Sequence, residues 1–324
     1  MIDRHKETIR SCVIGAAIGD AMGVPFEFLS RAEVRKIYRS EMCGNDIAPT
    51  LDSYWGQRIP AGCWSDDTSM MVASMDAIAK AGGQINAASI MDTFLAWWRR
   101  GQYCSWEAPF GLGGNISKAF QRYDRGKDPD RCGGTGYMDN GNGALMRILP
   151  FSLLAILRDY GWDQTVSLVS RGSSLTHAHE ISRLGCVIFT EFLRGMLAEH
   201  SKEAALDRIC GLDYTRFFTS MATGEYRMIL AEDVSAWKET ELKETGYVAD
   251  TLQAAVFSIM KTGSFEDAIS TAILLGYDTD TTACVTGQLA AALYGTEAIP
   301  ARWMEKLKKK ELLEKIAAEF AAVV

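Results

Sequence analysis

The chain has 324 residues, of which 48% are hydrophobic, and a formal net charge of −7 at pH 7. This length fits one large domain or two, and the hydrophobic content supplies enough apolar side chains for a substantial core. The negative charge disfavours nonspecific binding to nucleic acid, because neutralising phosphates requires a basic surface.

Helices are the predicted elements throughout. Apolar, alanine-rich stretches with a period near 3.6 residues recur along the chain, whereas the alternating runs typical of strands are almost absent. No linker-like tract or fixed-period repeat is present, so we predict an all-α, compact single domain over residues 1–324. The predicted helices cover residues 4–22, 69–81, 85–100, 113–125, 143–159, 162–172, 178–198, 201–210, 246–262, 265–275, 281–294 and 309–322. We interpret residues 199–245 as peripheral helices, and the helix-poor segment 38–63 and the glycine-rich segment 126–142 as functional loops.

The beginning of the chain and its cysteines favour a cytoplasmic protein without a membrane partner. Residues 1–7 enter a helix-like pattern that lacks the layout of a signal peptide. No apolar run reaches the roughly 18 residues that a transmembrane helix requires. Eight cysteines stand singly, without Cys-x-x-Cys pairs, which is typical of reduced thiols and disfavours cysteine-bound zinc.

Two carboxylates in the first part of the chain stand in apolar surroundings. Asp20 lies in the small-residue run Gly15–Gly23 and needs a partner, such as a backbone amide or a position beside a metal ligand. Glu27 lies between Phe26 and Phe28. It is either the exposed side of an extended segment or a carboxylate with a raised pKa suited to proton transfer. The residues alone leave both interpretations open.

The segment Ser65-Asp66-Asp67-Thr68, here named the first acidic cluster, opens the next apolar helix after a glycine-containing loop. One acid or hydroxyl at such a position is an ordinary helix cap. Two adjacent acids beside a hydroxyl exceed what capping requires, so a metal-binding role is the alternative.

The segment Asp139-Asn140-Gly141-Asn142-Gly143, here named the glycine loop, precedes an apolar stretch that we expect to be helical from Ala144 to Leu157. Backbone amides at a turn and helix start suit phosphate, although Asn-Gly is also an ordinary turn signal. Further along, His177 and His179 form an H-x-H pair without an apparent third zinc ligand. The more economical interpretation makes His177 a hydrogen-bonding residue at the start of the helix predicted over 178–198.

The segment Asp278-Thr279-Asp280-Thr281, here named the second acidic cluster, lies between two apolar stretches that both resemble buried helices. Taken alone, this cluster is at least equally well interpreted as an ordinary cap, in which Asp280 or Thr281 accepts from the first amides of the following helix. Buried charges, however, are normally paired or bound to a metal, because unpaired burial is costly. If the two acidic clusters meet in space, their oxygen ligands enclose room for two divalent ions. An oxygen-only set suits Mg²⁺ or Mn²⁺ better than zinc.

Taken together, these segments resemble the ADP-ribosylglycohydrolase family, which includes the enzyme that reactivates ADP-ribosylated dinitrogenase reductase. The resemblance runs along the whole chain. Its motifs are Gly19-Asp20-Ala21 with Glu27, Trp64 to Thr68, Gly141 to Arg147, Leu175-Thr176-His177, Gly246 to Leu252, Gly276 to Thr282 and Leu289 to Gly295. It implies an all-α orthogonal helical bundle with two Mg²⁺ or Mn²⁺ ions at the base of a cleft.

The resemblance also implies roles for individual residues. The implied metal ligands are Ser65, Asp66, Asp67, Asp278, Asp280 and Thr281. The implied catalytic groups are Glu27, Asp67 and Asp280. The substrate's phosphates would lie on Gly141, Asn142 and Gly143, with His177 as the binding histidine.

Two departures from the family pattern concern substrate recognition. Tyr277 stands where Gly or Asp is common, and Asn140 stands where some members have an aromatic that stacks on adenine. The other residues considered as a stacking face are Trp55, Trp64, Tyr103, Trp106 and Tyr137.

The implied activity is metal-dependent hydrolysis of the N- or O-glycosidic bond of an ADP-ribosyl adduct, such as ADP-ribosyl-arginine, with release of ADP-ribose. The expected partner is an ADP-ribosylated protein or small molecule, and the expected state a monomer or weak homodimer. Two alternatives are a hydrolase of another ribosyl or nucleotide small molecule and a non-catalytic ADP-ribose-binding member of the fold. Oxygen donors at all six ligand positions disfavour the non-catalytic alternative.

Overall fold

Helices form the regular structure of the protein in this computed structural model, which describes residues 2–38, 46–48, 50, 58–231 and 233–324. The α-helices are α1 (Ile2–Gly23), α2 (Arg31–Tyr38), α3 (Asp66–Lys80), α4 (Ala87–Arg100), α5 (Gly114–Asp124), α6 (Leu149–Leu157), α7 (Trp162–Ser174), α8 (Glu180–Glu199), α9 (Lys202–Cys210), α10 (Ser220–Glu225), α11 (Arg227–Ala231), α12 (Val248–Met260), α13 (Phe265–Leu274), α14 (Thr279–Tyr294), α15 (Ala301–Lys306) and α16 (Lys310–Ala321). The described ranges contain no β-strand, so the all-α prediction is confirmed. Trp55 and most of the segment 38–63 lie outside the described residues.

The helices α1 and α14 pack with their backbones in direct contact. A methyl group added at Gly15 would lie 2.3 Å from the carbonyl oxygen of Gly287, and one added at Gly19 would lie 2.0 Å from that of Ala283. Residue numbers increase along α1 from Gly15 to Gly19 while those of the contacted residues on α14 decrease from Gly287 to Ala283, so the two helices are antiparallel. This contact brings the end of α1, with Asp20, against the start of α14, with Asp280.

The same packing makes α1 a core helix. By length and composition alone, the segment Arg4–Phe26 would suffice to cross a membrane, but 94% of its apolar window is buried inside this fold. One hydrophobic cluster extends from Ile9 on α1 to Ala321 on α16. The described helices therefore share a single core.

Two predicted helix starts beside the glycine loop and the H-x-H pair differ from the structure. The helix expected from residue 143 begins at Leu149, because Pro150 has no N–H to donate and fits only the first turn. The chain turns over residues 143–147 instead. The helix expected from residue 178 begins at Glu180, and its cap is His179, whose ring accepts from the amide of Ile181.

Candidate functional site

Asp20 reaches from α1 to the start of α3 and holds it. The Asp20 side chain is fully buried, and its Oδ1 accepts from the Ser65 amide at 2.9 Å. Its Oδ2 accepts from the Thr68 amide at 3.1 Å and the Thr68 hydroxyl at 2.7 Å. Burial raises the pKa of Asp20 to about 6, although these hydrogen bonds oppose the shift. The expected backbone-amide partner of Asp20 is confirmed. Because Asp20 accepts from these amides at the start of α3, Asp66 and Asp67 are available for another role.

The first and second acidic clusters meet at Asp67. Its Oδ2 accepts from the hydroxyl of Ser65 at 2.7 Å and from that of Thr281 at 3.4 Å. Its Oδ1 is buried and has no hydrogen-bond partner in the described part of the chain. One carboxylate oxygen from each of Asp20, Asp67 and Asp280 lies within 4.8 Å of the others. The unpartnered Oδ1 of Asp67 is therefore an acceptor suited to a proton or a cation.

The remaining acids lie around this centre. Asp66 is buried, and a methyl group at Gly111 would lie 2.2 Å from its Oδ1, so Gly111 leaves the space that this carboxylate occupies. Asp278 is half-buried, and its Oδ2 accepts from the Asn142 side chain at 2.8 Å, which joins the glycine loop to the second acidic cluster. Glu27 is half-buried, and after burial its charge is the largest cause of the raised pKa of Asp280.

The electrostatics of the centre favour a cation. Burial first, and next the neighbouring carboxylates, raise the pKa of Asp66, Asp67 and Asp280 well above the ordinary value. No Lys or Arg among the described residues forms an ion pair with these three acids or with Asp20. A set of carboxylate and hydroxyl oxygens with one orphaned buried oxygen fits a hard divalent ion such as Mg²⁺ or Mn²⁺.

The glycine loop is held by a short antiparallel pairing with the residues before α12. The amide of Asn142 donates to the carbonyl of Gly246 at 3.0 Å, and the amide of Val248 donates to that of Asn140 at 3.0 Å. A methyl group at Gly143 would lie 2.9 Å from Ile116 and 3.0 Å from His177. A side chain at position 143 would therefore displace Ile116 or His177. No helix start follows the loop directly, so only its turn remains as the basis for an anion site.

The H-x-H pair is divided between two tasks. His177 is buried, its Nδ1 lies 2.9 Å from the Thr176 hydroxyl, and its ring edge faces the glycine loop. Burial, and next the charge of Arg147, lower the pKa of His177 to about 3, so its ring is neutral at physiological pH. His179 instead caps α8 and accepts from the side chain of Asn140 at 3.0 Å.

Of the described residues considered for stacking, Tyr137 is the one exposed beside the glycine loop, at 55% of its surface. Asn140 is buried, and its carboxamide oxygen accepts from both the amide and the hydroxyl of Ser182. Trp64 is also buried, and the Tyr103 hydroxyl donates to Asp76. Trp106 packs against a small apolar cluster.

Sequence reasoning assigned no role to Thr251, Gly111 or Gly246, all of which shape the site. Thr251 accepts from the Asn142 side chain at 2.9 Å, and a methyl group at Gly246 would lie 2.8 Å from Asp278. Thr251 and Gly246 fall inside a family motif, which was their one signal in the sequence. Gly111 had none, because its contact with Asp66 exists only in the folded chain.

Comparison with known proteins gives one consistent result. The family model described as ADP-ribosylglycohydrolase matches residues 1–324. The chain is 30% identical to the ADP-ribosylarginine hydrolase Tri1 of Serratia proteamaculans (strain 568), covering 96% of this chain and 78% of that protein. It is 25% identical to the ADP-ribosyl-[dinitrogen reductase] glycohydrolase of Rhodospirillum rubrum, covering 92% and 89%. A solved structure titled ADP-ribosylglycohydrolase-related protein complex aligns with a TM-score of 0.77 at 26% identity, covering 99% of both chains. The chain belongs to the ADP-ribosylglycohydrolase family.

Proposed function

We propose that this protein hydrolyses the glycosidic bond of an ADP-ribosyl adduct, with ADP-ribosyl-arginine as the first candidate, and depends on two divalent cations. The observation that carries the proposal is the meeting of the two acidic clusters at Asp67, without a Lys or Arg partner among the described residues. The printed activities of the Serratia and Rhodospirillum relatives support the choice of adduct. The partner would be an ADP-ribosylated protein or an ADP-ribosyl small molecule.

The proposed ion-binding residues are the six predicted ligands, Ser65, Asp66, Asp67, Asp278, Asp280 and Thr281. Divalent cations held by these residues would supply Lewis-acid polarisation and help to orient the vicinal hydroxyls of a ribose. Either Mg²⁺ or Mn²⁺ fits the oxygen donors.

The proposed proton transfer uses Glu27 or one of the carboxylates Asp67 and Asp280. Water adds to the anomeric carbon while the bond to the leaving nitrogen or oxygen breaks. The carboxylate takes a proton from the water, and the leaving group gains one, so that ADP-ribose and the free side chain result. Glu27 suits this task because it is half-buried at the edge of the cluster.

The proposed binding of the remainder of the substrate uses the glycine loop and its neighbours. Gly141, Asn142 and Gly143, with His177, would hold the pyrophosphate and so position the scissile bond. Tyr137 would stack on the adenine, since it is exposed beside the loop and Asn140 is engaged internally. All seven cysteines in the described part of the chain are free, which supports the expected cytoplasmic location.

The test is release of free ADP-ribose from ADP-ribosyl-arginine with Mg²⁺, with Mn²⁺ and with a chelator. We expect release only with a divalent ion, and a loss of at least about 100-fold in Asp67→Asn. Asp76→Asn is the matched control, because Asp76 lies on the same helix and pairs with Lys80 rather than with the acidic clusters. Release in the presence of chelator, or full activity in Asp67→Asn, would contradict the proposal.

Failure on this adduct with retained ion binding would favour the alternative, hydrolysis of another ribosyl or nucleotide small molecule. The observation that supports this alternative is the buried Asn140, which stands where some members of the family have an aromatic that stacks on adenine. A screen of ribosyl compounds under the same metal conditions separates the two.

A further inference from the structure

Arg147 is a buried cation that reaches the Nδ1 side of His177 through the hydroxyl of Thr176. Its side chain is fully buried, and none of the described carboxylates pairs with it. Its Nη1 donates to the carbonyl of Gly172 at 3.2 Å, its Nη2 donates to the Thr176 hydroxyl at 2.6 Å, and its guanidinium lies over the ring of Phe94. These contacts fix the guanidinium as a donor to Thr176.

The Thr176 hydroxyl then has a determined direction. Its oxygen accepts from Arg147, because a guanidinium has no acceptor. The remaining hydroxyl proton needs an acceptor, since Thr176 is fully buried. Within the described residues, the other hydrogen-bond partner of this oxygen is Nδ1 of His177, at 2.9 Å. Thr176 therefore donates to Nδ1, which must carry a lone pair.

We infer that Arg147 and Thr176 fix His177 in the neutral tautomer with its proton on Nε2, so that it presents an N–H donor to a phosphate oxygen on the glycine loop. A methyl group at Gly141 would lie 3.6 Å from this Nε2, and one at Gly143 would lie 3.0 Å from the adjacent ring carbon, so this ring edge faces the loop. The opposite tautomer would turn a lone pair toward an anion. The phosphate part of the inference rests on the proposed function, whereas the tautomer does not.

Arg147 and Thr176 are thus positioning residues, which act on a ligand through His177. The backbone of His177 is fixed as well, because Gly134 pairs with it through the carbonyl of Thr176 at 3.1 Å and the amide of Ala178 at 2.8 Å. The ring therefore cannot turn to offer its other nitrogen without breaking the contact with Thr176.

The tautomer can be read directly by long-range ¹H–¹⁵N correlation spectroscopy on the full chain labelled with ¹⁵N-histidine. The chain has only 4 histidines, and His177→Gln assigns the signal. We expect a protonated Nε2 and an unprotonated Nδ1 in the wild type at about pH 7. A protonated Nδ1 of His177 in the wild type, alone or together with a protonated Nε2, would overturn the inference, and the only variant this requires is a folded His177→Gln for assignment.

The hydrogen-bond chain from Arg147 through Thr176 to His177, here named the relay, is tested with two variants of Thr176. Thr176→Val removes the hydroxyl and keeps the branched shape, whereas Thr176→Ser keeps the hydroxyl. We expect mixed tautomers and about tenfold weaker binding of free ADP-ribose by calorimetry in Thr176→Val, and wild-type values in Thr176→Ser. An unchanged tautomer in folded Thr176→Val would refute the relay.

Binding of ADP-ribose needs no turnover, so these results stand apart from the hydrolysis assay. Wild-type protein with the expected tautomer that binds no ADP-ribose would reject the phosphate role of His177 and keep its geometry. ADP-ribose binding without hydrolysis of ADP-ribosyl-arginine would instead reject the proposed reaction.

Discussion

At the scale of single residues, Tyr277 adopts a backbone conformation that its side chain disfavours. Its φ is +63°, in the left-handed region, and so is that of Phe28 at +62°. The two residues face each other, since the amide of Phe28 donates to the carbonyl of Tyr277 at 2.6 Å and their rings pack edge to face at 5.6 Å. This pairing connects the residue after Glu27 to the residue before Asp278. The strained backbone therefore lies where the segment that carries Glu27 contacts the segment that carries Asp278.

We predict that Tyr277→Gly is more stable than Tyr277→Ala by about 1 kcal/mol, because both lose the ring but only glycine accepts a positive φ without a steric cost. The free energy of unfolding from urea titrations measures the difference. Lys315 on α16 provides the control, since it is exposed in a helix interior and should show the reverse order, with Ala about 1 kcal/mol better than Gly. Equal stabilities of the two Tyr277 variants would show that position 277 relaxes to another conformation.

The acids of the site could be predicted at this scale, and the groups that orient them could not. Asp66, Asp67, Asp278 and Asp280 stand at helix starts in two short motifs, so local sequence marks them. The relay from Arg147 through Thr176 joins positions 29 residues apart and depends on how α6 and α7 pack. No spacing in the sequence encodes such a contact.

At the scale of elements, the contact between α1 and α14 determines where the acids meet. We predict that Gly19→Ala costs roughly 3 kcal/mol of stability, because the added methyl group would lie 2.0 Å from a backbone carbonyl that cannot move alone. Opening this contact would also separate Asp20 from Asp280, so the stabilisation by divalent ions should weaken in the same variant. Thermal unfolding with Mg²⁺ and with chelator measures both effects.

Gly224→Ala is the control for that substitution. Gly224 lies in the helix α10, and a methyl group there would meet no atom within 4 Å. Alanine should therefore be neutral or stabilise by about 0.5–1 kcal/mol. If Gly19→Ala behaved in the same way, the close approach of α1 and α14 would not be what holds the acidic clusters together.

The predicted helices are correct where apolar residues repeat with helical spacing over a long stretch. The predictions fail where the helix is short or where an apolar stretch forms turns instead of a helix. The helix α2 was not predicted, because it is only 8 residues long and buries only Val34 and Tyr38. The apolar stretch before α6 is buried although it forms turns, and only Pro150 shows where the helix can begin. The pairing of the glycine loop with residues 246–248 is a tertiary contact and left no periodic trace.

At the scale of the whole molecule, folding and ion binding are coupled through the buried acids. Burial and neighbouring charges raise the pKa of Asp67 and Asp280, so without metal the folded chain holds protons that the unfolded chain releases. Stability then falls as pH rises above the ordinary Asp value of 3.8 and through the raised values. A divalent ion removes this loss, because it compensates the same charges.

We therefore predict that the melting temperature of the chelated protein decreases from about pH 5 to about pH 8, and that Mg²⁺ or Mn²⁺ flattens the profile. The shift produced by the ion should be larger at the upper end of this range, where the carboxylates are ionised and can bind it. Scanning calorimetry at fixed ionic strength measures both profiles, with Asp67→Asn and Asp76→Asn compared in parallel. Asp67→Asn should be less sensitive to pH and ion, whereas Asp76→Asn should follow the wild type. A chelated protein that gains stability over the same pH range would show that these carboxylates are already ionised and compensated, which removes the electrostatic case for bound cations.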